Sequence, residues 1–311
     1  MHGIGGPRDP AAELELWLGA LAVGAGAAGH ARHAPELRRG TLADVRFAYY
    51  GDLFAAPQAQ GVGELEEAEA FDVRSLLREV IDARLAECCR TDGETRVLQH
   101  AQAQLAPEGP AQGLGSAARQ VLSAANTLLA VPGLRTFGAW ASGRLMVGHL
   151  TQVTRYLASE EGSDAGPSLA ARVRDRVAQA LDPAVPTVVV AHSLGTVVAL
   201  ETLSSHRGDV PLFMTLGSPL GLRAIVGRRV RPQPPRAPDA VSHWVNVWDR
   251  DDLIVGRARL EDFVGANVRS VLPVTRRVDS DGAWVHSALK YLAHPGVAGP
   301  IVEALDVVTQ S

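Results

Sequence analysis

The chain has 311 residues, 46% of them hydrophobic, and a formal net charge of −4. That length and apolar content suit one large α/β domain spanning 1–311. No basic excess exists to neutralise phosphates, which argues against nucleic acid, and the two cysteines, the adjacent Cys88 and Cys89, cannot build a disulfide framework.

In chain order, Leu14, Leu18, Leu21 and Ala25 recur at helical spacing and predict a helix over 11–28, with Asp9 and Pro10 as its start. Residues 45–50 are aromatic and β-branched, which predicts a strand ended by Gly51-Asp52. A helical region follows from about 64 to 181. Its first apolar stripe is Leu65, Ala68, Phe71, Leu76, Val80, Ile81 and Leu85, and further helices are expected over 94–105, 115–130, 136–158 and 168–181. The helices over 115–130 and 136–158 carry little charge, so they either pack on the sheet or cap something apolar. The whole 55–180 region is expected to be a helical insertion.

Strands then return. Residues 187–190 are Thr-Val-Val-Val, the pattern of a parallel strand buried on both faces. A helix is expected from 194 to about 205, strands over 211–216, 242–248 and 268–272, and helices over 285–293 and 297–308. Strands alternating with helices predict a mostly parallel sheet covered on both faces. The Arg- and Pro-rich stretch 228–238 is expected to be a solvated loop. The apolar run 185–203 is interrupted by Ala191-His192-Ser193-Leu194-Gly195 and the stretch 18–28 is short of the ~20 residues a membrane span needs, so no integral membrane segment is expected. Residues 1–7 have neither a basic stretch nor an apolar core, so no signal peptide is expected and the cytoplasm is the expected compartment.

The order strand, Ala191-His192-Ser193-Leu194-Gly195, apolar helix resembles the nucleophile elbow of the α/β-hydrolase fold, with Ser193 as nucleophile. The elbow needs small residues on either side of the serine. Gly195 matches that need, and Ala191 replaces the usual glycine but is still small. The plain alternative is a turn whose serine caps a helix. In that family the order after the serine is acid, then histidine. The acid is expected in the loop 249–255, where Asp252 best resembles the family residue and Asp249 and Asp251 compete for the role. Among the later histidines, His243 comes too early and His294 follows a helix, whereas His286 lies in a loop leading into a helix, where the family base sits. Leu216-Gly217-Ser218-Pro219 also resembles lipase-like members, and it offers no carboxylate.

His2-Gly3-Ile4-Gly5 is similar to the family's oxyanion loop. By that resemblance the N–H groups of Ile4 and Leu194 form the oxyanion hole and His2 braces the loop. The implied protein is a lipase- or esterase-like serine hydrolase that works through an acyl-enzyme, with no cofactor and no metal, on a small-molecule acyl substrate of apolar character. The same machinery serves a thioesterase, peptidase or acyltransferase, and a non-catalytic binding protein of this fold is the alternative of another class. Family members carry a central strand just before the oxyanion loop. Here His2 is the second residue, which predicts an apolar strand upstream of it, or another segment or a partner chain in its place.

Overall fold

The computed structural model describes residues 1–3, 8–54, 67–86, 91–106, 116–130, 143–159, 166–223, 226–280 and 286–309. The helices are α1 (Pro10–Ala27), α2 (Ala34–Arg39), α3 (Glu67–Leu85), α4 (Asp92–Gln104), α5 (Ser116–Leu128), α6 (Gly143–Ala158), α7 (Leu169–Ala178), α8 (Leu194–Leu203), α9 (Val226–Arg229), α10 (Ala288–Ala293) and α11 (Pro295–Thr309). The strands are β1 (Val189–His192), β2 (Phe213–Leu216), β3 (Trp244–Asp249) and β4 (Pro273–Val278). They form a four-stranded sheet in the order β1-β2-β3-β4, and every neighbouring pair is parallel.

Each strand sends alternate side chains to opposite faces, so the sheet separates two cores. Phe213 and Trp244 face a core shared with Leu76, Val121, Leu150 and the apolar residues of α8. Their neighbours Met214, Leu216, Val245 and Val247 face a second core with Trp17 and Leu21 of α1, Tyr291 of α10 and Ile301 of α11. The chain is therefore an α/β protein with helices on both faces of a parallel sheet. Every residue of α8 is buried, which is why that helix shows no polar face in the sequence.

Local signals explain three of the helix starts. Asp9 caps α1 by accepting from Ala11 N–H, and Pro10 occupies the first turn. Thr91 and Ser168 cap α4 and α7 in the same way. Helices α3 to α6 pack on one another, α6 also touches α7, and α7 lies on α8. The apolar faces of α5 and α6 are spent in this packing through Val121, Ala125, Leu128, Met146, Leu150 and Tyr156. A buried polar knot joins these helices to the sheet layer. The Tyr156 hydroxyl donates to Glu201 of α8 at 2.5 Å, and the Arg174 guanidinium donates to the same carboxylate at 3.1 Å. Among the described residues no helix is long and apolar enough to cross a membrane.

Three expectations need correction. Residues 44–50 have no regular secondary structure and belong to no strand. Their aromatic residues serve side-chain packing instead: Phe47 meets Trp17 edge-on at 5.4 Å, and Tyr49 and Tyr50 stack on His2. The fourth strand spans Pro273–Val278 rather than 268–272. Asn267 Oδ1 accepts from the N–H groups of Arg269 and Val271, and Ser270 has a φ of 60°, so the predicted segment is a turn. Pro273 opens β4 on the sheet edge, where its missing N–H costs nothing. Finally, Phe71 is 56% exposed with Arg74 over its ring, so the apolar stripe of α3 excludes it.

Candidate active site

The site lies at the carboxyl ends of the strands. β1 stops at His192, and Ser193 turns the chain into α8 with φ 54° and ψ −131°. A positive φ on a residue with a Cβ costs roughly 1–3 kcal/mol, so the surroundings must hold it there. They do so through both backbone groups of Ser193. Its N–H donates to Leu216 O at the end of β2 (3.0 Å), and its carbonyl accepts from the N–H and the hydroxyl of Thr196 (2.9 and 2.8 Å). Ser218 in turn bonds the Thr196 hydroxyl at 2.7 Å.

Ser193 occupies the capping position of α8 without capping it, because its side chain makes no bond to the helix backbone. The Oγ instead lies 2.9 Å from His286 Nε2. That removes the reading of Ser193 as a helix cap. Leu194 N–H occupies the first position of α8, where no intrahelical partner exists, and it has no hydrogen-bond partner among the described residues. The positive end of the helix therefore sits beside the serine hydroxyl.

The opening residues press against this turn. His192 N–H donates to Met1 O at 3.3 Å, and a Cβ on Gly3 would lie 2.5 Å from Ser193 Cβ. From the other side, a Cβ on Gly195 would lie 2.3 Å from His2 O. Glycine at 3 and 195 is thus required by close approach, and Ala191 is fully buried in the strand below. His2 points away from the serine. Its Nε2 accepts from Tyr50 N–H (3.2 Å), its carbonyl accepts from the Tyr50 hydroxyl (2.7 Å), and its ring stacks on Tyr50. Burial pushes its pKa down to about 3, so the ring stays neutral and braces the segment. Ile4 lies outside the described residues.

The three aspartates of the acid loop separate by contact. Asp252 is buried and both its oxygens face His286 Nδ1, at 2.9 and 2.8 Å. The same carboxylate accepts from the Tyr291 hydroxyl (2.7 Å) and from Ile254 N–H (3.1 Å). Asp249, at the end of β3, ties the loop together instead. It accepts from Asp251 N–H at 2.9 Å and from the N–H and hydroxyl of Ser280 at 2.6 and 2.5 Å. Asp251 turns outward to pair with Arg84 and Arg250.

Three neighbours were not singled out from the sequence. Gly217 has φ 54°, and a Cβ there would lie 2.7 Å from Asp252 Oδ2 and 3.2 Å from His286 Nδ1. Tyr291 bridges the loop, because its hydroxyl donates to Asp252 and accepts from Asp249 N–H (3.0 Å). Burial, followed by the Asp252 charge, raises its pKa well above the ordinary tyrosine value, so it stays a donor. His192 packs its ring 4.8 Å from that of His286. Burial and then the His286 charge push its pKa well down, and its Nε2 is a buried nitrogen with no hydrogen-bond partner among the described residues. The only readable signals were a Gly-Ser-Pro strand end and a tyrosine one turn past the histidine loop.

The helical layer reaches this place through His149 on α6. Burial lowers its pKa to about 4, with a further contribution from the His286 charge. Among the described residues no group of three or more His, Cys, Asp or Glu side chains is placed to hold a metal ion. Compared with protein-family models, curated proteins and solved structures, the chain matches none.

Proposed function

We propose that the protein is a serine hydrolase of α/β-hydrolase type, which transfers the acyl group of an ester to water through a covalent intermediate on Ser193. The observation that carries this reading is one unbroken hydrogen-bonded line. It runs from Ser193 Oγ to His286 Nε2 (2.9 Å) and from His286 Nδ1 to Asp252 (2.8 Å), with the serine in a strained turn between β1 and α8.

The chemistry follows from those contacts. Ser193 Oγ attacks the acyl carbonyl while its proton passes to His286 Nε2. Asp252 accepts from His286 Nδ1, which fixes the tautomer and stabilises the charged ring. The carbonyl oxygen becomes an oxyanion, and Leu194 N–H at the helix start is aimed to receive it. The resemblance of the His-Gly segment makes Ile4 N–H the second donor. The alcohol leaves with the proton from Nε2, giving the acyl-enzyme. Water then repeats the sequence, losing its proton to His286, and as the C–Oγ bond breaks Nε2 returns a proton to Ser193 Oγ and the acid is released.

The approach of His149 of α6 to His286 supports α3–α6 as a cap over the site, and we assign it an apolar acyl chain as substrate. The same contacts serve a thioesterase, a peptidase or an acyltransferase, which differ only in leaving group or acceptor. Two adjacent cysteines and no other thiols suit a reducing compartment, so we place the protein in the cytoplasm. The test is hydrolysis of p-nitrophenyl esters by the intact chain and by Ser193→Ala. Turnover is expected to fall by several powers of ten with an unchanged melting curve. Equal turnover in the two proteins would end the reading.

A further inference from the structure

Arg84 stands in the last turn of α3, where a cation suits the negative end of a helix. Its side chain is only 11% exposed, and a charge so far from water needs partners. It has them on two sides. Nε donates to Glu94 Oε1 of α4 at 2.7 Å, and the Glu94 side chain is equally buried. Nη2 donates to Asp251 at 3.3 Å, and Nη1 donates to the carbonyl oxygen of Arg250. One planar fork therefore joins two helices of the 55–180 region to the loop that follows β3.

The two residues it grips stand directly before Asp252. The two that come after, Leu253 and Ile254, are buried in the core that also holds Leu77, Val80 and Ile81 of α3. The same helix thus fixes Asp252 on both flanks, by polar contact on one and by apolar packing on the other. The loop has little regular structure of its own to do this. β3 ends at Asp249, and only a single 3₁₀ turn over Leu253–Val255 follows.

We propose that Arg84 is a positioning residue for the acid, locking the helical layer to the loop so that the Asp252 carboxylate meets His286 only while α3 and α4 are seated. Its catalytic meaning rests on the serine-hydrolase reading, whereas its mechanical part does not. The layer is then more than a cover. A displacement of α3 draws Arg250 and Asp251 with it, and Asp252 leaves its place 2.8 Å from His286 Nδ1. A misplacement of about 1 Å can cost about 100-fold in turnover.

Ile254 N–H reports on the acid without any substrate, because it donates to Asp252 Oδ1 at 3.1 Å. The experiment compares amide hydrogen exchange at Ile254 in the intact chain, Arg84→Lys and Asp251→Ala. Lysine keeps the charge opposite Glu94 but lacks the fork that reaches the loop. Asp251→Ala leaves the Arg84–Glu94 pair intact and removes one loop contact, so it serves even where the first variant folds poorly. Both should speed Ile254 exchange, Arg84→Lys by about tenfold or more, with exchange in α8 unchanged. Turnover of p-nitrophenyl esters should fall by about 10- to 100-fold in Arg84→Lys. In an Asp252→Asn background the same substitution should cost nothing further, because Arg84 acts through the acid. The proposal is overturned if Ile254 exchange is unchanged in these variants, if α8 loosens equally, or if Arg84→Lys costs the same in both backgrounds. A chain that cleaves no ester would end the serine-hydrolase reading, and Ile254 exchange would still decide whether Arg84 holds the acid loop.

Discussion

At the scale of single residues, three aspartates within four positions do three different jobs. Asp252 faces His286, Asp249 closes the loop onto Ser280, and Asp251 meets solvent and arginine. Asp252→Asn should lower turnover by about 10⁴, because an amide no longer fixes the histidine tautomer. Asp249→Asn should leave the chemistry near normal but cost roughly 1–3 kcal/mol of stability, since it weakens buried charge-assisted bonds. Steady-state kinetics with urea melts on both variants separate the two effects, and a larger kinetic loss in Asp249→Asn would reassign the acid. Gly217→Ala is the complementary test. Its Cβ would crowd Asp252 at 2.7 Å on a backbone with φ 54°, so both turnover and melting temperature should fall. Native turnover in the Gly217→Ala variant would show that the acid and the base tolerate displacement. Ser193, Asp252 and His286 were readable because order along the chain and local context single them out. Tyr291, Gly217 and His192 were not, because what marks them is contact across 39 or more positions, or a glycine conformation that composition does not reveal.

Secondary structure was legible wherever the signal is local. Capping residues and apolar periodicity place α1, α4 and α7 within a few residues of their ends. The run of β-branched residues likewise places β1. Strand signals failed where pairing decides, since a ladder needs a partner and a single segment cannot report one. Residues 45–50 have strand composition without a strand neighbour, whereas β4 opens with a proline that composition counts against it. The helices α3 to α6 carry the element-scale prediction. If they cap the site, p-nitrophenyl esters should be cleaved with rising kcat/KM from acetate to medium chain lengths. The gain should be up to about fourfold per buried methylene, from ~0.8 kcal/mol each. A preference for acetate would mean that these helices only cover the sheet layer.

Across the whole molecule, the histidines gathered at the carboxyl end of the sheet link stability to acid. His2 and His149 stay neutral in the folded protein, with pKa values lowered to about 3 and about 4, chiefly by burial. His192 is pushed well down for the same first reason. In the unfolded chain each titrates near 6.5. Stability from these groups is therefore complete above about pH 6.5 and is lost as pH falls towards 4 and then 3, because only the unfolded state takes up protons in that window. Each histidine should contribute a slope of roughly 1.4 kcal/mol per pH unit near pH 5. Urea unfolding at pH 7.5, 6 and 5 measures it, and a flat profile would mean that these rings are protonated in the folded state.

The serine-hydrolase reading rests on Ser193 being a nucleophile and not merely a hydrogen-bonded hydroxyl. A fluorophosphonate probe decides this, because it forms a covalent bond only with an activated serine. The intact protein should carry a single adduct, mapped by tandem mass spectrometry to Ser193, and Ser193→Ala and His286→Ala should carry none. No adduct on a well-folded intact chain, or an adduct that survives Ser193→Ala, would contradict it.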